Sequence, residues 1–178
     1  MKRLAFYTIA ILREPPDHPA SKGFVDGIPD TFSAAERCVG FLDRQQAIGD
    51  WGPVLFPSFL TGDVGSRFAQ TFSIWRDLEA VYAYAYNGRH AEGLKRRRDW
   101  FLEEAHPGYV AWWVAEDHRP NIAEAVTRIE KLHNEGPGAE AFNFTHPFDQ
   151  SGRHARLSRD GVRTNVAQNK AMAGRHST

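Results

Sequence analysis

The stretch "LAFYTIAIL", residues 4–12, decides the fold of this chain. β-Branched and aromatic residues dominate it, which is typical of a β-strand. Alternate positions place Leu4, Phe6, Thr8 and Ala10 on one face and Ala5, Tyr7, Ile9 and Ile11 on the other. Because both faces are largely apolar, the sequence predicts an inner strand of a sheet that is covered on both sides.

Three more segments predict strands: "CVGFLDRQ" (38–45), "AQTFSIWR" (69–76) and "GYVAWWVAE" (108–116). Helices are predicted over residues 19–37, from Leu78 after the capping Asp77, and from Ile122 after the capping Asn121. The segment 139–148 is a candidate for a last short strand. The order β-α-β-β-α-β-α predicts an α+β fold, with a ferredoxin-like antiparallel sheet and its helices on one face.

Such a sheet leaves one apolar face of each inner strand without a helix. A second copy of the chain is the simplest cover, so the sequence predicts a homodimer that forms a dimeric α/β barrel. An enclosed pocket for an apolar small molecule is expected between sheet and helices or inside the barrel. The irregular segment 47–68 carries large apolar residues; it is a pocket lid, part of the dimer interface, or an irregular edge strand.

Composition and charge narrow the classes of partner. The chain has 178 residues, with 22 Lys and Arg against 22 Asp and Glu, which argues against a nucleic-acid partner. No apolar run approaches the ~20 residues of a membrane span. The first apolar run meets Arg13 and Glu14 and lacks a small-residue cleavage site, so a buried strand is expected there rather than a signal peptide. With Cys38 as the only cysteine, a cytoplasmic location is expected.

Domain organisation follows from a change in pattern near residue 150. Residues 1–150 are predicted to form the barrel domain. Residues 151–178 contain six Lys or Arg against one acid and little periodicity, so they are predicted to form a basic, flexible tail.

The stretch "HAEGLKRRRDWF", residues 90–101, is interpreted as the end of the helix that begins at Leu78. If that helix continues through Gly88, then Tyr82, Tyr86 and His90 follow one another at i, i+4 on one face, with Arg97 on the same side. The other cations of the run then form a solvated face.

His90 is the main catalytic candidate, because a neutral imidazole on a tyrosine-lined face can act as a general base or acid near pH 7. Two alternatives stay open: a structural histidine bonded to Tyr86 or a strand, and a haem ligand. No HExxH or HxH motif accompanies it, so no metal site is expected.

Other candidates would shape a ligand site. Trp75 and Trp113 lie on predicted strands, where they would form aromatic walls or simply core. His118 follows a strand end and precedes a helix N-terminus, a position that suits an anion or a structural loop contact.

Two segments carry a family resemblance: "SIWRDLEAVYAYAYNGRHAEGLKRRRDWF" (73–101) and "WWVAEDHRPNIAEAVTRIEKLHNEGPGAEAFNFTHPF" (112–148). They resemble an uncharacterised bacterial and fungal domain family of the dimeric α+β barrel superfamily. That superfamily includes antibiotic-biosynthesis monooxygenases, which act on polycyclic aromatic polyketides without metal or flavin. It also includes haem-binding members and stress proteins.

The resemblance implies a cofactor-free enzyme acting on an aromatic or polyketide-like molecule, by oxygenation or by acid/base cyclisation or isomerisation. His90 would move the proton and Arg97 would steady an oxyanion. The substrate would contact Trp75, Tyr82, Tyr86, Trp113 and His118. A non-catalytic ligand-binding or stress-type dimer is the second hypothesis, and a haem protein is the third.

Overall fold

The computed structural model describes residues 2–174. The strands are β1 (Lys2–Ile11), β2 (Phe41–Arg44), β3 (Phe68–Trp75) and β4 (Tyr109–Ala115). The helices are α1 (Lys22–Glu36), α2 (Leu78–Ala85), α3 (Gly88–Lys95), α4 (Arg97–Trp100), α5 (Ile122–Glu135) and α6 (Arg159–Gly174). All four predicted strands are confirmed, as are the helix starts at Leu78 and Ile122; the helix predicted over 19–37 begins at Lys22, after a 3₁₀ turn at Pro19–Ser21.

The four strands form one antiparallel sheet in the order β2-β3-β1-β4, which is the ferredoxin-like order. The long apolar β1 lies inside, with Leu4 opposite Trp75 on β3 and Trp113 on β4. The predicted caps begin α2 and α5: Asp77 Oδ1 accepts from Ala80 N (2.8 Å) and Asn121 Oδ1 from Glu124 N (2.9 Å).

The two faces of the sheet have different covers. We call the side under α1 and α2 the helix face; its buried strand residues are Leu4, Phe6, Trp75 and Ala111. We call the other side the α5 face; there Tyr7, Phe72, Trp112 and other large side chains pack against α5. The prediction of helices on one face only therefore needs correction. Spacing shows that α5 has an apolar stripe, but not which face of the sheet the stripe meets.

Because α5 covers the α5 face, the sheet within residues 2–174 has no uncovered apolar face, and this argument for a second copy of the chain no longer holds. Tyr7 is fully buried and Ile9 is 4% exposed within the single chain. The segment after β2 completes that cover, with the Trp51 ring 4.8 Å from Phe72 and the Trp51 carbonyl accepting from Ile122 N (2.8 Å). The homodimer accordingly stays a prediction, and the lid and interface interpretations of 47–68 both stay open.

The predicted continuous helix after Leu78 is divided into α2, α3 and α4. α2 ends at Ala85, and Gly88 begins α3 with a φ of +60°, in the left-handed region. The change of direction there breaks the i, i+4 series, so His90 does not share a face with Tyr82 and Tyr86. The correction has a local cause, since a helix cannot continue through a residue in that conformation.

The C-terminal segment differs from the predicted flexible tail. Residues 159–174 form α6, which packs on α2. Asn165 is 6% exposed, and Asn169 Oδ1 accepts from Val39 N (2.9 Å). The inward positions Val162, Asn165, Val166 and Asn169 have helical spacing, but two asparagines conceal the pattern. Residues 175–178 of that segment lie outside the described residues, and the proposed boundary at 150 stays a prediction.

Residues 139–148 do not form a named strand. Phe142 makes only an isolated bridge to Ala111 at the outer edge of β4.

Among residues 2–174, no helix has both the length and the apolar character that crossing a membrane requires.

Candidate functional site

α1 crosses the helix face diagonally. At its start, the Phe24 ring lies 4.9 Å from Phe101, which bridges to Leu12 just past the end of β1. At its end, Glu36 pairs with Arg44 of β2 (2.8 Å) at the opposite edge of the sheet. The middle of α1 therefore passes over the central parts of β1 and β3.

Small side chains form the sheet surface beneath α1. Thr8 and Ala10 of β1 lie opposite Thr71 and Ala69 of β3, and Ser73 follows along β3. Four apolar residues of α1 are only half-buried: Phe24, Val25, Ile28 and Phe32. Because small residues leave space under a helix, we propose that this region is a cleft, and we call it the α1 cleft.

The α1 cleft opens at the outer edge of β3. β2 pairs with β3 from Ser73 to Trp75, and just beyond it Gln45 N donates to the Phe72 carbonyl (2.9 Å); within residues 2–174, no strand residue pairs with Thr71 at this edge. Thr71 is accordingly exposed, although Phe72 beside it is buried on the other face. A ligand would enter at this edge.

A contiguous set of side chains leads from the floor of the cleft to His90. Trp75 Nε1 donates to Ser73 Oγ (2.9 Å), and the Trp75 ring stacks on Tyr84 with centroids 5.2 Å apart. The other neighbour of Tyr84 is His90, at 4.8 Å. The Tyr84 hydroxyl donates to the Thr31 carbonyl on α1 (3.5 Å), which ties the set to the roof of the cleft.

The protonation of His90 follows from its contact with α2. His90 Nδ1 lies 2.8 Å from the Ala85 carbonyl oxygen, which can only accept. Nδ1 therefore carries the hydrogen, and Nε2 is the basic nitrogen. Burial lowers the pKa of His90, more than the Ala85 hydrogen bond raises it, so the ring is neutral near pH 7. This arrangement suits a general base.

The predicted tyrosines lie in a second cluster on the helix face. Tyr82 and Tyr86 have ring centroids 4.6 Å apart, and both contact Phe144. Tyr109 joins them through Phe144 (5.1 Å), and its hydroxyl accepts from Phe144 N (3.2 Å). Burial is the main cause of the raised pKa of Tyr109. Tyr82 and Tyr86 are thus separated from His90 by the break at Gly88.

The remaining predicted residues lie elsewhere. Trp75 is fully buried and forms the wall behind Tyr84. Trp113 Nε1 donates to the Phe148 carbonyl (2.7 Å). His118 is exposed and lies 2.7 Å from Glu124 Oε2, whose Oε1 accepts from Trp112 Nε1. Arg97 is exposed on α4. Among the predicted residues, Trp75 and His90 share one neighbour, Tyr84, which contacts both rings.

Sequence reasoning missed Tyr84, Thr8 and Thr71. Tyr84 stands between Tyr82 and Tyr86 in the sequence. In a continuous helix it would lie on a different face from Tyr82, Tyr86 and His90, so the spacing gave no reason to select it. The threonines were visible as polar positions on the same strand faces as Leu4 and Trp75. Polar residues inside otherwise apolar strand faces are the signal that could have found them.

Two further geometric points concern ligands. Within residues 2–174, no three His, Cys, Asp or Glu side chains form a cluster suited to a metal ion. An open depression of about 600 Å³ lies at the other end of the sheet, lined by Lys2, Ala115, Glu116, Asp117 and Gln150. Lys2 Nζ donates to the Gln150 carbonyl there (2.9 Å), and the depression includes none of the predicted site residues.

The fold is that of a small α+β protein with a ferredoxin-like antiparallel sheet, in which His90 packs on Tyr84 and bonds to the Ala85 carbonyl. The chain belongs to the family described as a domain of unknown function (DUF3291), whose profile matches residues 3–158. The expected membership of an uncharacterised family is thereby confirmed. No curated protein matches the chain.

Two solved structures are similar in part. SnoaB of Streptomyces nogalater, a cofactor-independent oxygenase, is 11% identical, with a TM-score of 0.41 over 67% of this chain and 97% of that one. PA3566 of Pseudomonas aeruginosa is 9% identical, with a TM-score of 0.44 over 66% of this chain and 97% of that one.

Proposed function

We propose that this protein is a small-molecule enzyme that binds an apolar aromatic or polyketide-like molecule in the α1 cleft. His90 removes a proton from the bound molecule. The observation that carries the proposal is the fixed tautomer of His90, with Nδ1–H on the Ala85 carbonyl and a basic Nε2. A lowered pKa keeps that nitrogen unprotonated near pH 7.

Proton removal from carbon beside a carbonyl, or from a phenol, leaves an electron-rich anion. In cyclisation or isomerisation, the imidazolium of His90 returns the proton at another atom. In cofactor-free oxygenation, molecular oxygen takes electrons from the substrate anion. Both branches need the same first step, and no cofactor of the protein takes part in that step.

The roles of the other predicted residues differ in their support. Trp75 and Tyr84 supply an aromatic wall next to His90. Arg97 as oxyanion partner, and Tyr82, Tyr86, Trp113 and His118 as substrate contacts, have no geometric support in the arrangement described above. They remain part of the proposal from family resemblance alone.

The test follows deuterium uptake from D₂O into 2-indanone, a ketone with acidic benzylic hydrogens, by NMR. We expect the protein to accelerate uptake and His90→Gln to remove about a hundredfold of that acceleration, which is typical of a lost general base. The matched control is His133→Gln, because His133 packs on Phe59 of the α5 face. Equal uptake by wild type and His90→Gln would refute His90 as the base.

A non-catalytic ligand-binding dimer is the second candidate. It is favoured by the buried Trp75 and the half-buried Trp113, whose indole N–H groups already have protein partners. In that case the ketone binds but wild-type uptake stays at the buffer rate. No specific observation favours the haem hypothesis.

The homodimer and the cytoplasmic location belong to the same proposal. Leu42 of β2, Ile48 and Phe56 are exposed, with Ile48 82% accessible. We propose that this patch lies in the dimer interface. Sedimentation velocity is expected to show a dimer that Ile48→Asp converts to monomer; a monomeric wild type would contradict it.

A further inference from the structure

We infer that Thr8 and Thr71 form a recognition pair for one hydrogen-bond-accepting oxygen of the ligand, at the mouth of the α1 cleft. The inference rests on the proposed function, because it assumes that the cleft is the ligand site. It adds the chemical class of the ligand: an apolar ring system with a carbonyl oxygen on the side that reaches the sheet first.

The geometry of the pair leaves one hydrogen for a ligand. Thr8 Oγ1 and Thr71 Oγ1 lie 2.7 Å apart, and either can be the donor. Two hydroxyls have two hydrogens, and this contact uses one of them. Among residues 2–174, neither side chain has another hydrogen-bond partner. The second hydrogen is therefore free to bond an acceptor in the cleft.

The neighbouring hydroxyl cannot serve in the same way. Ser73 Oγ accepts from Trp75 Nε1 (2.9 Å) and donates to the Phe6 carbonyl (3.4 Å). Its hydrogen is committed within the protein. Ser73 therefore holds the wall in place, and the free donor belongs to the threonine pair.

The surroundings of the pair are apolar, and this makes the pair selective. Along the strands, Ala10 and Ala69 flank the pair on one side and Phe6 and Ser73 on the other, and the Ser73 hydroxyl is already bonded within the protein. A ligand that covers the pair without offering an acceptor leaves a hydroxyl hydrogen unbonded, which costs binding free energy. Ligands with an oxygen at that position avoid the cost.

The access route supports the same assignment. Thr71 is exposed beyond Ser73, where the pairing of β2 with β3 ends, so a ligand that enters at this edge would meet the pair first. An oxygen held at the mouth leaves the rest of the ring system in the apolar part of the cleft. Thr8 and Thr71 are therefore specificity residues, and they take no part in proton transfer.

The experiment measures the affinities of 2-indanone and of indane, its oxygen-free counterpart, by ¹H–¹⁵N NMR titration. The quantity of interest is the indane-to-indanone ratio of Kd values. We expect Thr8→Val combined with Thr71→Val to lower that ratio about fivefold, as for one lost neutral hydrogen bond. Each single change leaves one hydroxyl with a free hydrogen and lowers the ratio less.

Two further variants make the result specific. Thr8→Ser combined with Thr71→Ser keeps both hydroxyls and is expected to keep the wild-type ratio. Thr127→Val removes a hydroxyl that donates to the Ala123 carbonyl on α5, far from the cleft, and is expected to change nothing. Valine suits a strand, and the singly substituted proteins provide the test if the double valine variant does not fold.

The outcomes separate this inference from the proposed function. A ratio that falls in the double valine variant and survives in the serine variant supports the pair. A ratio that stays unchanged in the double valine variant, while both compounds still shift amides of the cleft, overturns the pair and leaves the proposed function standing. Shifts confined to residues outside the cleft overturn both.

Discussion

The α5 face and the helix face belong to one sheet, yet they are filled differently. On the α5 face, Phe72 contacts the rings of Tyr7, Trp51 and Trp112 at 4.8–5.7 Å, and large side chains leave little space. On the helix face, Thr8, Ala10 and Thr71 lie beneath α1. Both faces carry a buried core, and the comparison sets the filled surface around Phe72 against the small residues beneath α1, where we propose that packing is given up for access.

The largest expected effect tests the filled face. Phe72→Ala removes a ring that is 1% exposed, and we expect the free energy of unfolding to fall by about 3–5 kcal/mol. Urea denaturation measures the loss. Thr71→Ala, one residue away on the open face, is the control and is expected to cost under about 1 kcal/mol. Equal losses would remove the distinction between the faces.

A matched pair on β1 sharpens the comparison. Ala5 is fully buried on the α5 face, whereas Ala10 is half-buried beneath α1. We expect Ala5→Leu to lower the free energy of unfolding by about 1–3 kcal/mol through overpacking.

Ala10→Leu extends into the cleft, so we expect little loss of stability together with loss of 2-indanone binding. The two variants carry the same substitution at two positions of β1. Urea denaturation and ligand titration of both variants compare the two faces directly. A large destabilisation by Ala10→Leu would show that α1 already fills the space above it.

His90 makes the open face sensitive to pH. Its folded-state pKa is lowered, so the unfolded chain binds more protons below the ordinary histidine pKa of about 6.5. Stability is therefore complete above that pH and falls as the solution becomes more acidic, by at most about 1.4 kcal/mol per pH unit from this group.

Urea midpoints between pH 7.5 and 5.5 for wild type and His90→Gln measure this contribution. We expect the wild-type slope to be the steeper one. Deuterium uptake by 2-indanone is expected to decline in wild type over the acidic part of this range, because the base becomes protonated. Parallel slopes would show that the burial of His90 does not penalise its charged form.

The smallest expected effect concerns the outer layer of the helix face. Asn169→Ala removes the acceptor for Val39 N, and we expect a loss of about 1 kcal/mol, measured by thermal unfolding. Gln168→Ala, on the exposed side of α6, is the control. If both variants behave alike, α6 contributes little to the cover of α2.

Much of this architecture was predictable from local patterns. The runs with two apolar faces predicted the inner strands, and the capping residues Asp77 and Asn121 predicted the starts of α2 and α5. The position of α5 was not predictable in the same way. An apolar stripe indicates that one side of a helix is buried. Which surface it is buried against depends on the path of the chain after β4.

The site was predictable only in part. His90 stays a predicted catalytic residue, and its expected neighbours Tyr82 and Tyr86 depended on a continuous helix. Gly88 can adopt both helical and left-handed conformations, so the sequence alone does not decide whether a helix passes through it. Tyr84 became the neighbour of His90 only through the direction that the break imposes on α3.

The left-handed Gly88 also has a consequence for divergence within the family. α3 begins anew after it and is held to α2 by the contact between His90 Nδ1 and the Ala85 carbonyl, whereas α2 is held by the sheet and α6. On the proposed function, substitutions within residues 91–96 would change the surroundings of His90 while the packing of α2 on the sheet and α6 is kept.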